Sequence, residues 1–334
     1  MHQRTHKISI AIAGSTERTV SMAKALRGDE RFSIAWILSP TAKPVGRKQL
    51  LTKNPLEIWA ENQQLPTISV TQKIDQKVKN DIDLVTSDID ILLVVDFGYL
   101  VPQWLLELPN VAPLNLHPSK LPEWRGSSPG QAVLLSGAGT SAITLLEMDE
   151  QLDHGPILKQ VDFAVQPSWT QTEYYQTAFA AVLPTLADLI AAFVAENRAP
   201  AAQPDQSPTP IARELSKKDS FLPWELLQQL TGRAPEANIG DSEFVQLLPP
   251  FLAEIWNYLE KTSTSKLSQV DFIARASRAL SPWPQLWTLV QTTKGERRLK
   301  ILSASVNDSG HLVLDQVQLE GQRPAQWNQV KNVI

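Results

Sequence analysis

Cysteine is absent from the 334 residues. That absence removes disulfides, thiolate nucleophiles and every cysteine-based zinc site. Histidine is scarce. There are five, His2, His6, His117, His154 and His311, and no two carry the HExxH spacing of a catalytic zinc helix, so no metal is expected. No apolar run approaches the roughly 18 residues of a membrane span, which argues against a membrane partner. The basic start, Met1–Lys7, runs directly into Ile8–Ala13 without the long apolar stretch of a secretory signal. A cytoplasmic monomer is the default expectation.

Two further motifs fail on inspection. There is no GxxxxGK[ST] phosphate loop, and Gly137-Ala138-Gly139 lacks the third glycine of a dinucleotide fingerprint, so it reads as a turn. Gly126-Ser127-Ser128-Pro129-Gly130 matches the GxSxG pattern of serine hydrolases. In that elbow the residue after the serine donates its N–H to the oxyanion. Here that residue is Pro129, which has no N–H.

The length suits two domains, and 43% hydrophobic with 20% charged residues is a globular balance. A net charge of −4 argues against indiscriminate nucleic-acid binding, but the charge is uneven. Residues 211–334 carry 14 Lys and Arg against 13 Asp and Glu, whereas the first 210 carry 17 against 22. A nearly neutral C-terminal part can still present a local basic face to phosphates.

Ile8–Ala13, Phe32–Leu38, Ile89–Val95, Val111–His117 and Ile143–Met148 read as short strands, with helical runs around Ala23–Leu26 and over Gly130–Leu135. Strands alternating with helices predict an α/β, Rossmann-like, mostly parallel sheet, with ligands beyond the carboxyl ends of its strands. Ala199–Pro210 holds Pro200, Pro204, Pro208 and Pro210 among Ala, Gln and Ser, the composition of an extended linker. Beyond it lie helical stretches (Trp224–Leu230, Phe251–Lys261, Val270–Leu280). Three strands follow, Leu286–Gln291, Arg298–Ala304 and Leu312–Leu319. A domain of residues 1–198, a linker of 199–210 and a domain of 211–334 are therefore expected. A fragment ending near residue 198 is expected to fold.

Asn115 and His117 stand two apart at a strand's end and so share a face. An amide beside an imidazole suits acyl transfer, one stabilising an oxyanion while the other moves protons. Asp153, in the loop after the next strand, could orient His117. Taken alone, the same pair reads more readily as a strand end with polar caps. Lys294, Arg297, Arg298 and Lys300 surround one predicted hairpin, with Arg275 and Arg278 on the helix before it. These and Arg47-Lys48 read either as a phosphate-binding face or as solvated charge.

Together the segments are more specific. Asn115-Leu116-His117-Pro118-Ser119-Lys120-Leu121-Pro122-Glu123-Trp124-Arg125-Gly126 resembles the signature of the 10-formyltetrahydrofolate-dependent formyltransferases, and Met148–Gly155 resembles their second signature. The resemblance implies a catalytic triad of Asn115, His117 and Asp153. It also implies a folate-contacting turn of Ser119, Lys120, Leu121 and Pro122, and a pterin-lining segment containing Phe97, Gly98 and Tyr99. Within that superfamily the chain most resembles the methionyl-tRNA formyltransferase family. Pro44-Val45-Gly46-Arg47-Lys48 resembles that family's basic loop, and the segments Arg278–Pro284 and Val317–Pro324 resemble its C-terminal OB-like β-barrel. The implied substrates are initiator methionyl-tRNA and 10-formyltetrahydrofolate. The same catalytic signatures also serve enzymes that formylate amino-sugar nucleotides. Thr16 and Arg18 depart from the family pattern in the first turn, as do Gln151 and His154 beside the carboxylate and Lys120 and Glu123 in the signature. Residues 226–267 read as a helical insertion.

Overall fold

In the computed structural model, residues 7–45, 49–86, 88–196, 200–233 and 239–334 are described. The expected alternation of strand and helix runs through the first part: β1 (Ile8–Gly14), α1 (Glu17–Arg27), β2 (Phe32–Pro40), β3 (Lys43–Val45), β4 (Leu50–Thr52), α2 (Pro55–Asn62), β5 (Thr67–Val70) and α3 (Gln76–Val85). There follow β6 (Ile91–Val95), α4 (Gln103–Leu106), β7 (Ala112–His117), α5 (Pro129–Ser136), β8 (Thr140–Glu147), β9 (Ile157–Ala164), α6 (Gln171–Val182) and α7 (Leu186–Glu196). Helix starts are set by short polar side chains. Thr16 and Thr19 close a reciprocal cap on α1, Asn54 and Glu57 do so on α2, and Asp75 caps α3. Ser128-Pro129 is the start of α5, not a nucleophile elbow.

Seven strands form one sheet in the order β5-β2-β1-β6-β7-β8-β9. The pairs from β5 to β7 are parallel, and β8 runs antiparallel to β7. Every residue of β6 is buried, as a strand covered on both faces requires. The chain leaves β1 through β2 and β5, then returns to the other side of β1 as β6. Such a reversal opens a crevice beyond the strands' carboxyl ends. Register pairs Gly14 with Val95 and Val94 with Asn115, so β1, β6 and β7 end nearly level there.

The chain divides into two compact units, but not by one cut. The first holds residues 1–122, 142–163 and 176–206, and the second holds 123–141, 164–175 and 207–334. Two pieces of the N-terminal part therefore belong with the C-terminal part. The physical reason lies in α5, whose residues Pro129–Leu135 are all buried. In the second unit this helix packs against α10 (Pro250–Thr262) and α11 (Gln269–Ala279). The Pro-rich segment also differs from a free linker. Ala201 exchanges both backbone hydrogen bonds with Ile157, at 2.7 and 2.8 Å, on the edge strand β9.

Within the second unit, α8 (Trp224–Leu230), α9 (Asp241–Leu247) and α10 occupy the stretch read as an insertion. Phe244, Trp256 and Phe272 form its aromatic centre, with edge-on rings 4.6 and 5.2 Å apart at their centroids. Next come β10 (Trp287–Thr292), β11 (Gly295–Val306), β12 (Leu312–Leu319), β13 (Ala325–Gln326) and α12 (Trp327–Val330). The four strands make one antiparallel sheet in chain order, with α11 packed on β11. The small C-terminal β domain expected from the sequence is this sheet.

The buried α5 gives a prediction that reverses the one drawn from the linker. A fragment of residues 1–198 keeps α5 and removes α10 and α11, exposing a largely apolar helix that is buried in the full chain. It should bind a hydrophobic dye and lose a cooperative thermal transition by circular dichroism. A sharp melt like that of the full chain would refute this.

Candidate active site

β7 carries Asn115 and His117 to the level where β1 and β6 also end. Asn115 is half-buried and His117 is 4% exposed. The third residue comes from the turn between β8 and β9. Asn115 donates from Nδ2 to Asp153 Oδ1 at 3.3 Å, and His117 Nδ1 lies 3.4 Å from the same oxygen. The structure thus brings together the three residues that the sequence separates by up to 38 positions. The contacts are long for hydrogen bonds, as catalytic contacts are before substrate draws them in.

Asp153 is held by its backbone. It sits at φ 50°, a left-handed conformation in which a non-glycine residue needs outside support. Gln203 gives part of it, donating from Nε2 to the carbonyls of Asp153 (3.0 Å) and Gly155 (2.7 Å). Gly155 presses on β8 so closely that a Cβ would lie 1.9 Å from the Glu147 carbonyl oxygen. Beside this turn, burial holds the Glu147 carboxyl above its ordinary pKa. His154 points its Nδ1 at Asp149 Oδ2, 2.8 Å away, and so braces the turn from within.

The expected folate turn is equally tied down. Thr144 Oγ1 donates to the Ser119 carbonyl at 2.7 Å and accepts from Leu121 N–H at 3.3 Å. Gln160 Nε2 donates to the Leu121 carbonyl at 2.7 Å. Ser119 and Leu121 are buried. Lys120 reaches outward to Asp162 Oδ1, 2.9 Å away, and Pro122 closes the first unit's segment. At the end of β6, Phe97 and Tyr99 tilt against each other with centroids 5.2 Å apart. Gly98 between them has nothing within 4 Å of where a Cβ would stand. Arg18 bridges to Asp96 Oδ2 at 2.6 Å, and Thr16 donates to the same oxygen at 2.8 Å. The two departures in the first turn are therefore used together, fastening α1 to the end of β6.

Residues 6–182 match the family described as Formyl transferase. The chain belongs to the formyl transferase family. A methionyl-tRNA formyltransferase of Anaplasma marginale (strain St. Maries) is 32% identical over 153 residues, which are 46% of this chain and 50% of that protein. The chain spans about half the length of the first curated relatives it matches. Two solved structures share the fold at 15% sequence identity. One is an N-formyltransferase from Helicobacter canadensis in complex with folinic acid and dTDP-3-aminofucose, with a TM-score of 0.56, covering 96% of this chain and 99% of that one. The other is a methionyl-tRNA formyltransferase from Clostridium thermocellum, with a TM-score of 0.51, covering 93% and 98%.

The cations read from the sequence of this formyl transferase do not gather in one place. Arg47 and Lys48 lie outside the described residues. Arg275 and Arg278 line one pocket of the second unit, and none of Lys294, Arg297, Arg298 and Lys300 lines it. On β11, Arg298 and Lys300 share the exposed face, whereas Arg297 alternates onto the side of Leu299 and Ile301. Arg298 stacks over Trp287 at 4.6 Å, and Lys294 is exposed in the turn.

Sequence reasoning missed Gln203, Thr144 and Gln160, because nothing local marks a glutamine that caps a turn 50 residues away. Gly155 was legible, standing two residues after the carboxylate. Gln203→Ala leaves two carbonyls without this donor and should cost about 1–3 kcal/mol in urea unfolding. A stability within 0.5 kcal/mol of the parent (about the scatter of a neutral surface change) would show that the turn holds itself.

Proposed function

We propose that this chain transfers the formyl group of 10-formyltetrahydrofolate to the α-amino group of methionyl-tRNA, the initiator in particular. The observation that carries the reading is the convergence of Asn115 and His117 on one oxygen of Asp153. An α-amine has a reference pKa near 8, so a useful fraction is unprotonated at neutral pH. Its nitrogen attacks the formyl carbon, and a carbon–nitrogen bond forms. The bond from that carbon to the folate nitrogen breaks, and the proton released by the amine ends on that nitrogen. Asn115 donates an N–H to the formyl oxygen as it gains charge. His117 faces Asp153 through Nδ1, which assigns proton exchange with the substrate to Nε2. The Asp153 carboxylate stabilises the imidazolium when it forms.

Support for the folate comes from the donor-rich, immobilised turn Ser119–Pro122 and from Phe97, Gly98 and Tyr99. Two half-buried rings flanking an open glycine suit a flat heterocycle. Support for the tRNA comes from the curated relative's name and from the basic face of β11. The folded neighbours also include an enzyme solved with an amino-sugar nucleotide, so substrate choice is the point to test.

Purified protein with the folate donor should formylate methionyl-tRNA, and a dTDP-4-amino-sugar offered in parallel should be turned over far more slowly. The reverse preference would reject the reading. Asn115→Ala should lower kcat by roughly 10²–10³, the usual effect of one lost oxyanion donor, with little change in folate affinity. Replacing Arg298 and Lys300 together by Ala should raise KM for tRNA and flatten its salt dependence by about one unit of log slope per lost phosphate contact. The folate KM should stay put. An unchanged salt slope would leave that face a solvated edge.

A further inference from the structure

A second pocket, of about 210 Å³, lies wholly within the second unit. Its walls are the end of α5 with Gly137, Ala138 and Gly139, the segment Val165–Trp169, and Arg275 and Arg278 from α11. Two arginines line it, and among the described residues no carboxylate does. That imbalance is built in by the backbone. Gly137 ends α5 in the left-handed conformation at φ 73°, and a Cβ there would lie 2.4 Å from Arg275 Nη1. The guanidinium occupies the space that a side chain would fill. It donates from Nη1 to the carbonyls of Leu135 and Ser136, at 3.4 and 3.2 Å, where the helix end is negative.

Arg275 is thereby fixed, and it repels its neighbour. Arg278 is three residues on, on the same side of α11, half-buried, and its side chain has no hydrogen-bond or ion-pair partner among the described residues. Burial first, and Arg275 second, hold its guanidinium below the ordinary pKa; Asp271 on the same helix opposes them in part but does not line the pocket. Desolvated positive charge without a counter-ion is costly, and a bound anion would relieve it. Trp169 and Pro167 also line the pocket, and a tryptophan ring is a stacking surface for any base.

We propose that this pocket binds a nucleotide, its phosphate on Arg278 beside Arg275 and its base against Trp169. Arg278 makes the charge-assisted contact and Arg275 sets the field. The proposal deepens the RNA reading, because a nucleotide of the tRNA is one source of that chemistry. A free nucleotide, or the nucleotide half of a nucleotide-linked sugar, is the other.

The test is calorimetric titration of the full chain, without folate, at low salt. The probes are adenosine monophosphate, inorganic phosphate and a single-stranded RNA heptamer. Adenosine monophosphate should bind more tightly than phosphate. Arg278→Gln should weaken it by about tenfold or more, and Trp169→Leu should erase its advantage over phosphate. Thermal melts of both variants establish that they are folded, and Arg278→Lys, which keeps the charge, should retain part of the affinity. If the heptamer competes with the mononucleotide, RNA is the source. If the mononucleotide binds and the heptamer does not compete, the pocket serves a free nucleotide. Affinities that ignore Arg278→Gln and Trp169→Leu, or no binding of any probe, overturn the proposal. Methionyl-tRNA formylation is measured separately. Its absence beside intact nucleotide binding would reject the reaction and leave the pocket standing.

Discussion

One carboxylate oxygen organises the candidate active site. Asp153 Oδ1 meets both the Asn115 amide and the His117 ring, so its position fixes two side chains that would otherwise be free to rotate at a strand end. A strand delivers Asn115 and His117 to one face by its pleat alone. Nothing so regular delivers Asp153, which sits on a turn in a backbone conformation that costs of order 1–3 kcal/mol unsupported. That cost is met by Gly155 pressed against β8 and by Gln203 spanning two carbonyls. The site is therefore only as exact as the packing of a segment that contributes no chemistry.

Much of this was legible in the sequence because it is local. The apolar runs placed β1, β2, β6, β7 and β8 within a few residues, and the Asn-x-His spacing placed both side chains on one face. The resemblance of Met148–Gly155 to a second signature named the carboxylate. The decoy serine also failed for a local reason, since Pro129 opens α5. What was not legible depends on contacts that no local pattern carries. The Pro-rich stretch has the composition of a linker, and proline does forbid it a regular strand or helix. Yet one residue pair, Ala201 with Ile157, extends the sheet edge, and this brings Gln203 to the active-site turn. Proline fixed the segment as extended, and extended backbone is what an edge strand can accept.

The same limit explains why the two compact units do not follow the boundary expected at the Pro-rich segment. Amphipathic periodicity tells which face of a helix is buried, not which element buries it. In α5 the face is the whole helix, a sign that two partners cover it, and those partners, α10 and α11, follow more than 100 residues later. A chain that crosses between units in this way is less separable than its linker composition suggests.

Charge shows most clearly what a sum conceals. In the first unit many cations are spent locally: Arg18 on Asp96, Arg31 on Asp29 and Asp188, Lys53 on Glu61, Lys77 on Asp81 and Lys120 on Asp162. Such pairs act at a distance as small dipoles. In the second unit Arg213 is paired with Asp219, but no side chain of Arg275, Arg278, Arg298 or Lys300 forms an ion pair among the described residues, and the Glu320 carboxylate meets Arg298 only at its backbone N–H, 3.3 Å away. Unpaired charges project a field out to about the Debye length, roughly 8–10 Å at cellular salt. In a chain of net charge −4, the β11 face and the α11 pocket are two places where side-chain cations stand without an ion pair among the described residues. The first is open to solvent, with Arg298 and Lys300 both exposed. The second is a bounded cavity lined by two arginines and a tryptophan, the groups the proposed nucleotide would use. That difference lies in where each cation sits, and no count of lysines and arginines could have given it.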